Sequence, residues 1–445
     1  EARPGDAHAL SVRNRKWFRA RHARALRQWH YPAQNANAAM ARIHRRSQRR
    51  SLLVIDNEVP LPALGQGHPR AHQLLHVALD LGWAVSFFGM HHADIDWAKF
   101  RADISKDIEL IADRTHAGLA DFLDERRDCF DVILVSRPDN FRRFRDTVAS
   151  APHLIEGVRI VYDAEALFAK RDIARASLDG VVLPHDAAEA MIDREISLTA
   201  GADAIVCVSE DEAGEFRRRV EVPVHRLSHA ITARRDTPDF SWRSGFLFVG
   251  RLLEREAPNF QGLAWFVREI WPLIHRQIPY ATLTVAGHLC AEHADLTGRG
   301  IRLLGPIADL APLYDSVRVF IAPIRFAAGV PIKILEASAA GIPAAATVLM
   351  AEQLGWHHAQ QIMAADDPVA LAQGCIALHQ DAATWTAMRA EAQRIAEQEH
   401  GPAAFRLRLA KILEHPAPSP RDDGYSAPHD HERRLAKCPD AQRDV

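Results

Sequence analysis

Ile321-Ala322-Pro323-Ile324-Arg325-Phe326-Ala327-Ala328-Gly329-Val330-Pro331-Ile332-Lys333-Ile334-Leu335-Glu336-Ala337-Ser338-Ala339-Ala340-Gly341-Ile342-Pro343 is the stretch that decides the fold. An apolar run ends at Pro323 and reads as a strand. A loop of small residues follows, in which Gly329 permits backbone angles and a ligand approach that a side chain would block. Pro331 suits a first helical position, and the helical pattern stops at Gly341, where a new strand begins. The order strand, glycine loop, helix, strand places a helix N-terminus at the C-terminal end of a parallel strand. Open α/β sheets bind ligands there, and the unpaired amides and positive dipole end make an anion site.

Lys333 stands in the first turn of that helix, where a cation opposes the dipole. Such a local conflict is expected if a phosphate occupies the helix end. Glu336 follows at i+3 on the same face. The two could simply pair with each other. The functional alternative puts the lysine on phosphate and the glutamate on sugar hydroxyls.

Outward from this segment the same alternation repeats. Apolar runs of buried-strand length occur at 52–55, 83–88, 132–136, 158–162 and 204–208, with helical periodicity at 70–81, 187–198 and 212–219. Gly82 fits the C-cap of the first helix. The pattern restarts at Phe246-Leu247-Phe248-Val249-Gly250 and runs through a helix at 262–277 and strands at 281–286, 301–304, 317–322 and 344–347. A short helix is expected at 308–314, and two helices close the segment near 368–380 and 385–399. This is the layout of a doubly wound α/β chain. It divides into a helical lead-in at 1–50, a first Rossmann-like half at 51–235, a second at 236–414 and a disordered tail at 415–445. The polar stretch 232–242 is the linker.

Bulk properties exclude several classes. The chain has 445 residues, 48% hydrophobic and 25% charged, with a formal net charge of −2. That balance suits two soluble domains and argues against a nucleic-acid partner. Cys129, Cys207, Cys290, Cys375 and Cys438 are scattered without a CxxC pair, so neither a disulfide framework nor a zinc site is expected. Cys207 lies in an apolar run and reads as a buried thiol. A reducing compartment fits. No apolar run reaches the ~18 residues of a membrane span, and no signal peptide is legible. The first residue is Glu1, which suggests a fragment. His429-Asp430-His431 reads as an exposed cluster in a polar tail, and no metal-binding Asp-x-Asp motif is present.

The segment 325–337 with Gly341-Ile342-Pro343 resembles the donor-site signature of the retaining glycosyltransferases of family 4, which have the GT-B architecture of two facing Rossmann-like domains. Further stretches are similar: Phe248-Val249-Gly250-Arg251, Pro258-Asn259, Trp265-Phe266, Val285-Ala286-Gly287, Leu304-Gly305-Pro306, Ala351-Glu352 and Ala365-Asp366-Asp367-Pro368. In the first half, Ile55-Asp56, Val59-Pro60, Gly67, Arg70, Ser136-Arg137-Pro138, Tyr162-Asp163, Arg171 and Val208-Ser209-Glu210-Asp211-Glu212 also fit. The likeness covers about residues 50–412 and is to a bacterial surface-polysaccharide subgroup. The lead-in 14–42 resembles the tail of an upstream transferase module.

The resemblance implies roles by position. Glu336 would hold the donor ribose, and Lys333 and Arg251 would lie near its diphosphate; these three form the expected catalytic set. Gly329 and Val330 would offer amides to the diphosphate, and Gly67 would close over it from the other half. Gly305 and Pro306 complete the expected nucleotide site. Arg70, Arg137 and Asp163 are candidates on the acceptor side, although a polar residue ending a strand is commonly a cap or turn former. Ala328 stands eight residues before Glu336, where the family has a glutamate that contacts the transferred sugar. Pro331, Ile332 and Gln353 also depart from the common pattern.

The activity implied is metal-independent transfer from a UDP- or GDP-sugar to a glycan or lipid-linked acceptor, with no cofactor beyond the donor. The setting implied is the cytoplasm or the inner membrane face, in lipopolysaccharide or related synthesis. The alternative suggested by Ala328 is a catalytically inactive scaffold module of a larger synthase. A sugar-nucleotide epimerase is a third possibility, which the first half argues against.

Overall fold

The computed structural model describes residues 14, 16–18, 21, 49–62, 65, 67–91 and 96–414. Most of the lead-in, the tail from 415 and the His429–His431 cluster lie outside the described residues.

Two parallel sheets organise the chain. The first has seven strands in the order β3-β2-β1-β4-β5-β6-β7. Its strands are β1 (Ser51–Asp56), β2 (Ala84–Gly89), β3 (Glu109–Ile111), β4 (Val132–Ser136), β5 (Arg159–Asp163), β6 (Ala204–Cys207) and β7 (Val224–Arg226). The second has six, in the order β10-β9-β8-β11-β12-β13. They are β8 (Phe246–Val249), β9 (Leu283–Ala286), β10 (Ile301–Gly305), β11 (Val319–Ala322), β12 (Ala344–Ala346) and β13 (Ile362–Ala364). Both sheets reverse their winding beside the first strand, at β1/β4 and β8/β11. Ligands of such sheets bind at the carboxyl ends of the strands flanking that point.

Burial on both faces explains the unbroken apolar strands. Every residue of β1 is buried. Leu53 and Ile55 join one apolar cluster and Leu52 and Val54 the other, as a period-2 strand covered by helices on both sides requires. The second sheet has its own core around Phe246, Phe248, Val285, Ile321 and Ala345.

Several elements differ from expectation. The single helix foreseen over 262–277 is Pro258–Trp265, a π-helical turn over Phe266–Ile270, and Trp271–Gln277. Pro272 has no N–H to continue an α-helical ladder, and a wide turn absorbs the break. The helix foreseen over 308–314 starts later, at Ala311–Ser316, where Asp309 accepts the Ala311 N–H at 2.9 Å. Pro331 is the N-cap of helix Ile332–Ala339 and not its first residue.

A last helix, Pro402–Leu413, leaves the second sheet and returns to the first. Phe405, Leu409, Ile412 and Leu413 are buried there among Leu52, Val54 and Phe87. The chain thus crosses between the halves twice, and the crossings are bonded together. The Ile231 N–H donates to the His400 carbonyl at 2.6 Å, and His400 Nδ1 lies 3.0 Å from Ser228 Oγ.

Burial, followed by the charge of Arg70, lowers the pKa of His229 to about 3. Burial, followed by Arg226, lowers that of His400 to about 4. The unfolded chain therefore takes up protons below the ordinary value of 6.5 that the folded chain refuses. Stability is expected to fall as pH drops from about 6.5 to about 4. In denaturant titrations across that range, the double variant His229→Gln, His400→Gln should show a shallower dependence.

Candidate functional site

The loop after β11 and the helix Ile332–Ala339 form one wall of the site. Gly329 has φ +85, a backbone conformation that favours glycine, so the chain turns sharply into the helix. The Ile332 N–H folds back to the Val330 carbonyl at 2.8 Å, while the Val330 N–H has no partner among the described residues. Lys333 Nζ donates to Glu336 Oε2 at 2.8 Å, and the Tyr314 hydroxyl donates to the same oxygen at 3.1 Å. Glu336 Oε1 makes no hydrogen bond to any described residue. Burial and then the charge of Glu336 push the Tyr314 hydroxyl above its ordinary pKa. The structure thus pairs Lys333 with Glu336 and adds a tyrosine that sequence reasoning missed.

These three side chains open on a cleft of about 450 Å³ that Ile307, Leu310 and Arg234 also line. The apolar residues of its wall follow β10, directly after Gly305 (φ +72) and Pro306. Its lining joins apolar residues such as Ile307 and Leu310 to the lysine and the carboxylate. Arg251 is exposed after β8 and forms no ion pair among the described residues. Asn259 Nδ2 donates to its carbonyl at 3.3 Å.

The first half faces this wall with a network of buried charge. Arg70, in helix His68–Asp80, donates to both oxygens of Asp163 at 2.8 and 2.9 Å, and its Nε donates to the Leu227 carbonyl at 2.9 Å. Both side chains are only 1% exposed. Ser136 Oγ also donates to Asp163, at 3.1 Å. Arg70 and Asp163 therefore hold each other in the interior of the first half. Arg137, at φ +79 after β4, bonds Asp56 Oδ1 through Nε at 2.7 Å and Glu165 Oε2 through Nη2 at 2.8 Å. Burial, with Asp56 next, raises the Glu165 pKa to about 7; burial also raises that of Asp56 against the pull of Arg137.

The two halves meet at Glu212, at the start of helix Glu210–Arg217. Its Oε1 accepts the N–H of Gly329 at 3.0 Å and of Leu167 at 3.0 Å. Its Oε2 is buried without a partner among the described residues, and burial raises the pKa of the group. The Gly329 amide expected to face a diphosphate is therefore bonded to a carboxylate of the opposite half. Ser209-x-x-Glu212 has the spacing of a capping box. Ser209 does accept the Glu212 N–H at 3.2 Å, but the glutamate side chain reaches outward to the facing loop. Gly67 borders the same region, since a methyl group there would lie 2.5 Å from Glu165 Oε1. A third link joins the halves at Arg175, whose Nη2 lies 2.8 Å from Glu256 and whose guanidinium lies over Phe326.

Residues 243–381, within the second half, match the family model described as "Glycosyl transferases group 1". A curated relative, an uncharacterized 44.6 kDa protein in the cps region of Klebsiella pneumoniae, is 27% identical over 190 residues. That alignment covers 40% of this chain and 48% of the relative, so the chain spans about half the length of the relative it matches. A sucrose-phosphate synthase from Thermosynechococcus elongatus superposes with a TM-score of 0.60 at 14% identity, over 82% of this chain and 98% of that one. HepE from Anabaena, in complex with UDP and glucose, gives 0.55 at 14% identity, over 82% and 99%. WaaG, a glycosyltransferase involved in lipopolysaccharide biosynthesis, gives 0.55 at 14% identity, over 82% and 100%. At these identities the likeness is one of fold, and that fold is the two-domain GT-B architecture.

Proposed function

We propose that the chain is a retaining, metal-independent glycosyltransferase. It moves a sugar from a UDP- or GDP-sugar to a glycan or lipid-linked acceptor in bacterial surface-polysaccharide synthesis, at the cytoplasmic face of the inner membrane. The observation that carries this is the cleft lined by Lys333, Glu336 and Tyr314 beside a helix N-terminus. A nucleoside fits against Ile307 and Leu310 past Pro306, with its ribose hydroxyls on the free oxygen of Glu336. The diphosphate then lies against the Val330 amide and Lys333, with Arg251 reaching in from β8.

Transfer builds negative charge on the departing diphosphate. A fixed cation and preorganised amides lower the barrier by meeting that charge where it forms. The acceptor approaches from the first half, past Arg137. Support also comes from HepE, whose complexes hold UDP or UDP-glucose, and from WaaG and the cps-region relative. No helix among the described residues is long and apolar enough to cross a membrane, so the acceptor is read as meeting the protein at a surface. We place the working domains at 51–235 and 236–414.

A nucleoside diphosphate at about a hundred times its Kd should stabilise the fold by about 2.7 kcal/mol. Thermal denaturation with UDP or GDP reads this directly. Glu336→Ala should remove the shift, and no shift with either nucleotide in the wild type would count decisively against the proposal. Ala328 and the engaged Gly329 amide favour a second reading, a nucleotide-binding scaffold. That reading is distinguished by a nucleotide shift without turnover of any donor.

A further inference from the structure

Ala328 leaves the donor loop without a side-chain carboxylate. The opposite half lies directly over that loop. A methyl group on Gly329 would sit 3.6 Å from the Glu165 carbonyl oxygen and 3.7 Å from the Ala166 methyl. Glu165 has φ +55, uncommon for a residue with a side chain. Its side chain is 11% exposed, with Oε2 paired to Arg137 at 2.8 Å and Oε1 buried without a partner among the described residues. A methyl on Gly67 would fall 2.5 Å from that Oε1. An unpartnered carboxylate oxygen therefore belongs to a residue bracketed by two glycines, one from each half. Buried polar atoms are nearly always bonded in folded proteins, and an exception needs a reason.

We propose that Glu165 supplies, from the first half, the carboxylate that binds a hydroxyl of the transferred sugar in place of the one absent at position 328. The inference rests on the nucleotide-sugar reading above. Arg137 fixes one carboxylate oxygen and leaves the other for the sugar. Asp56 at the end of β1 and Asp163 at the end of β5 raise the proton affinity of the group, while Arg137 and Arg70 lower it. With burial added, the pKa is about 7, so the group accepts a sugar hydroxyl best above that pH. A buried acceptor of this kind discriminates against sugars that lack the matching hydroxyl.

The test is calorimetric titration of the whole chain with UDP, GDP, UDP-glucose, UDP-galactose, UDP-N-acetylglucosamine and GDP-mannose. The wild type should bind one nucleotide sugar more tightly than its parent nucleotide. Glu165→Gln should lose about tenfold of that sugar-dependent increment while the parent nucleotide stays within about twofold. Glu165→Asp, which keeps the charge but draws it back, should show the same split and stands in if the glutamine variant is misfolded by its thermal midpoint. An unchanged increment overturns the proposal, as does an equal loss for nucleotide and nucleotide sugar, or a wild type that gains nothing from any sugar. Failure of the wild type to bind either nucleotide sinks the nucleotide-sugar reading itself, which is a different result.

Discussion

Arg70→Ala is expected to cost about 3–5 kcal/mol of stability, because it strands a buried carboxylate. Asp163 is 1% exposed and receives two of its hydrogen bonds from that one guanidinium. Without them the Asp163 carboxylate keeps, among the described residues, a hydrogen bond from Ser136 Oγ at 3.1 Å. The loss will appear as a lower urea midpoint, with the far-ultraviolet spectrum of the folded state unchanged. The double variant Arg70→Met, Asp163→Leu removes both charges together and should recover most of the loss, since replacing a whole buried pair by apolar side chains is often neutral. If Arg70→Ala were as stable as the wild type, the pair would have to be solvated, contrary to its burial. This prediction also separates stability from activity. Arg70 and Asp163 carry the resemblance to acceptor-side residues, yet their geometry makes them the fixed floor on which Arg137 and Glu165 stand.

Lys333→Ala is expected to lower kcat by about two to three orders of magnitude with the best donor, the usual effect of removing one preorganised transition-state donor. Stability should hardly change. The Lys333–Glu336 pair is partly exposed, with side chains 40% and 28% accessible, and an i,i+3 pair of that kind is worth about 0.3–0.5 kcal/mol. The combination of a large kinetic effect and a negligible shift in thermal midpoint is what identifies a group that works on developing charge. Lys333→Arg keeps the charge and should retain part of the rate. A Lys333→Ala enzyme with unaltered kcat would show that the pair is only a surface contact on the helix.

How much of this was legible in the residues differs by element. The strands of both sheets announced themselves because burial on both faces demands continuous apolar runs, as in Leu52–Ile55 and Phe246–Val249. The three-residue strands Glu109–Ile111, Val224–Arg226 and Ile362–Ala364 carry too little pattern to stand out, and register against a neighbour defines them. Helix 332–339 was legible from its glycine, proline and lysine, which state local conformational needs. Tyr314 was not, because its role depends on a helix 22 residues away in sequence presenting Glu336 to it. Glu212 and Glu165 were harder still. Their partners Gly329, Arg137 and Gly67 come from distant segments, and nothing local in sequence encodes a contact across a cleft. The pairing of Lys333 with Glu336 shows the opposite case, since i,i+3 geometry alone brings the two into reach.

The returning helix Pro402–Leu413 has a consequence for how the two halves can move. Were 227–242 the one tether, the second half could swivel, slide or twist against the first. The chain instead passes between them again at His400–Gly401, and the Ile231 N–H and Ser228 hydroxyl fasten the outgoing and returning segments side by side. Two strips of backbone laced together behave as a door pin. They resist shear and leave rotation about their own line as the soft motion. The two halves also touch where Glu212 meets Gly329 and Arg175 meets Glu256. Rotation about the pin therefore has to break these contacts before the two halves can part.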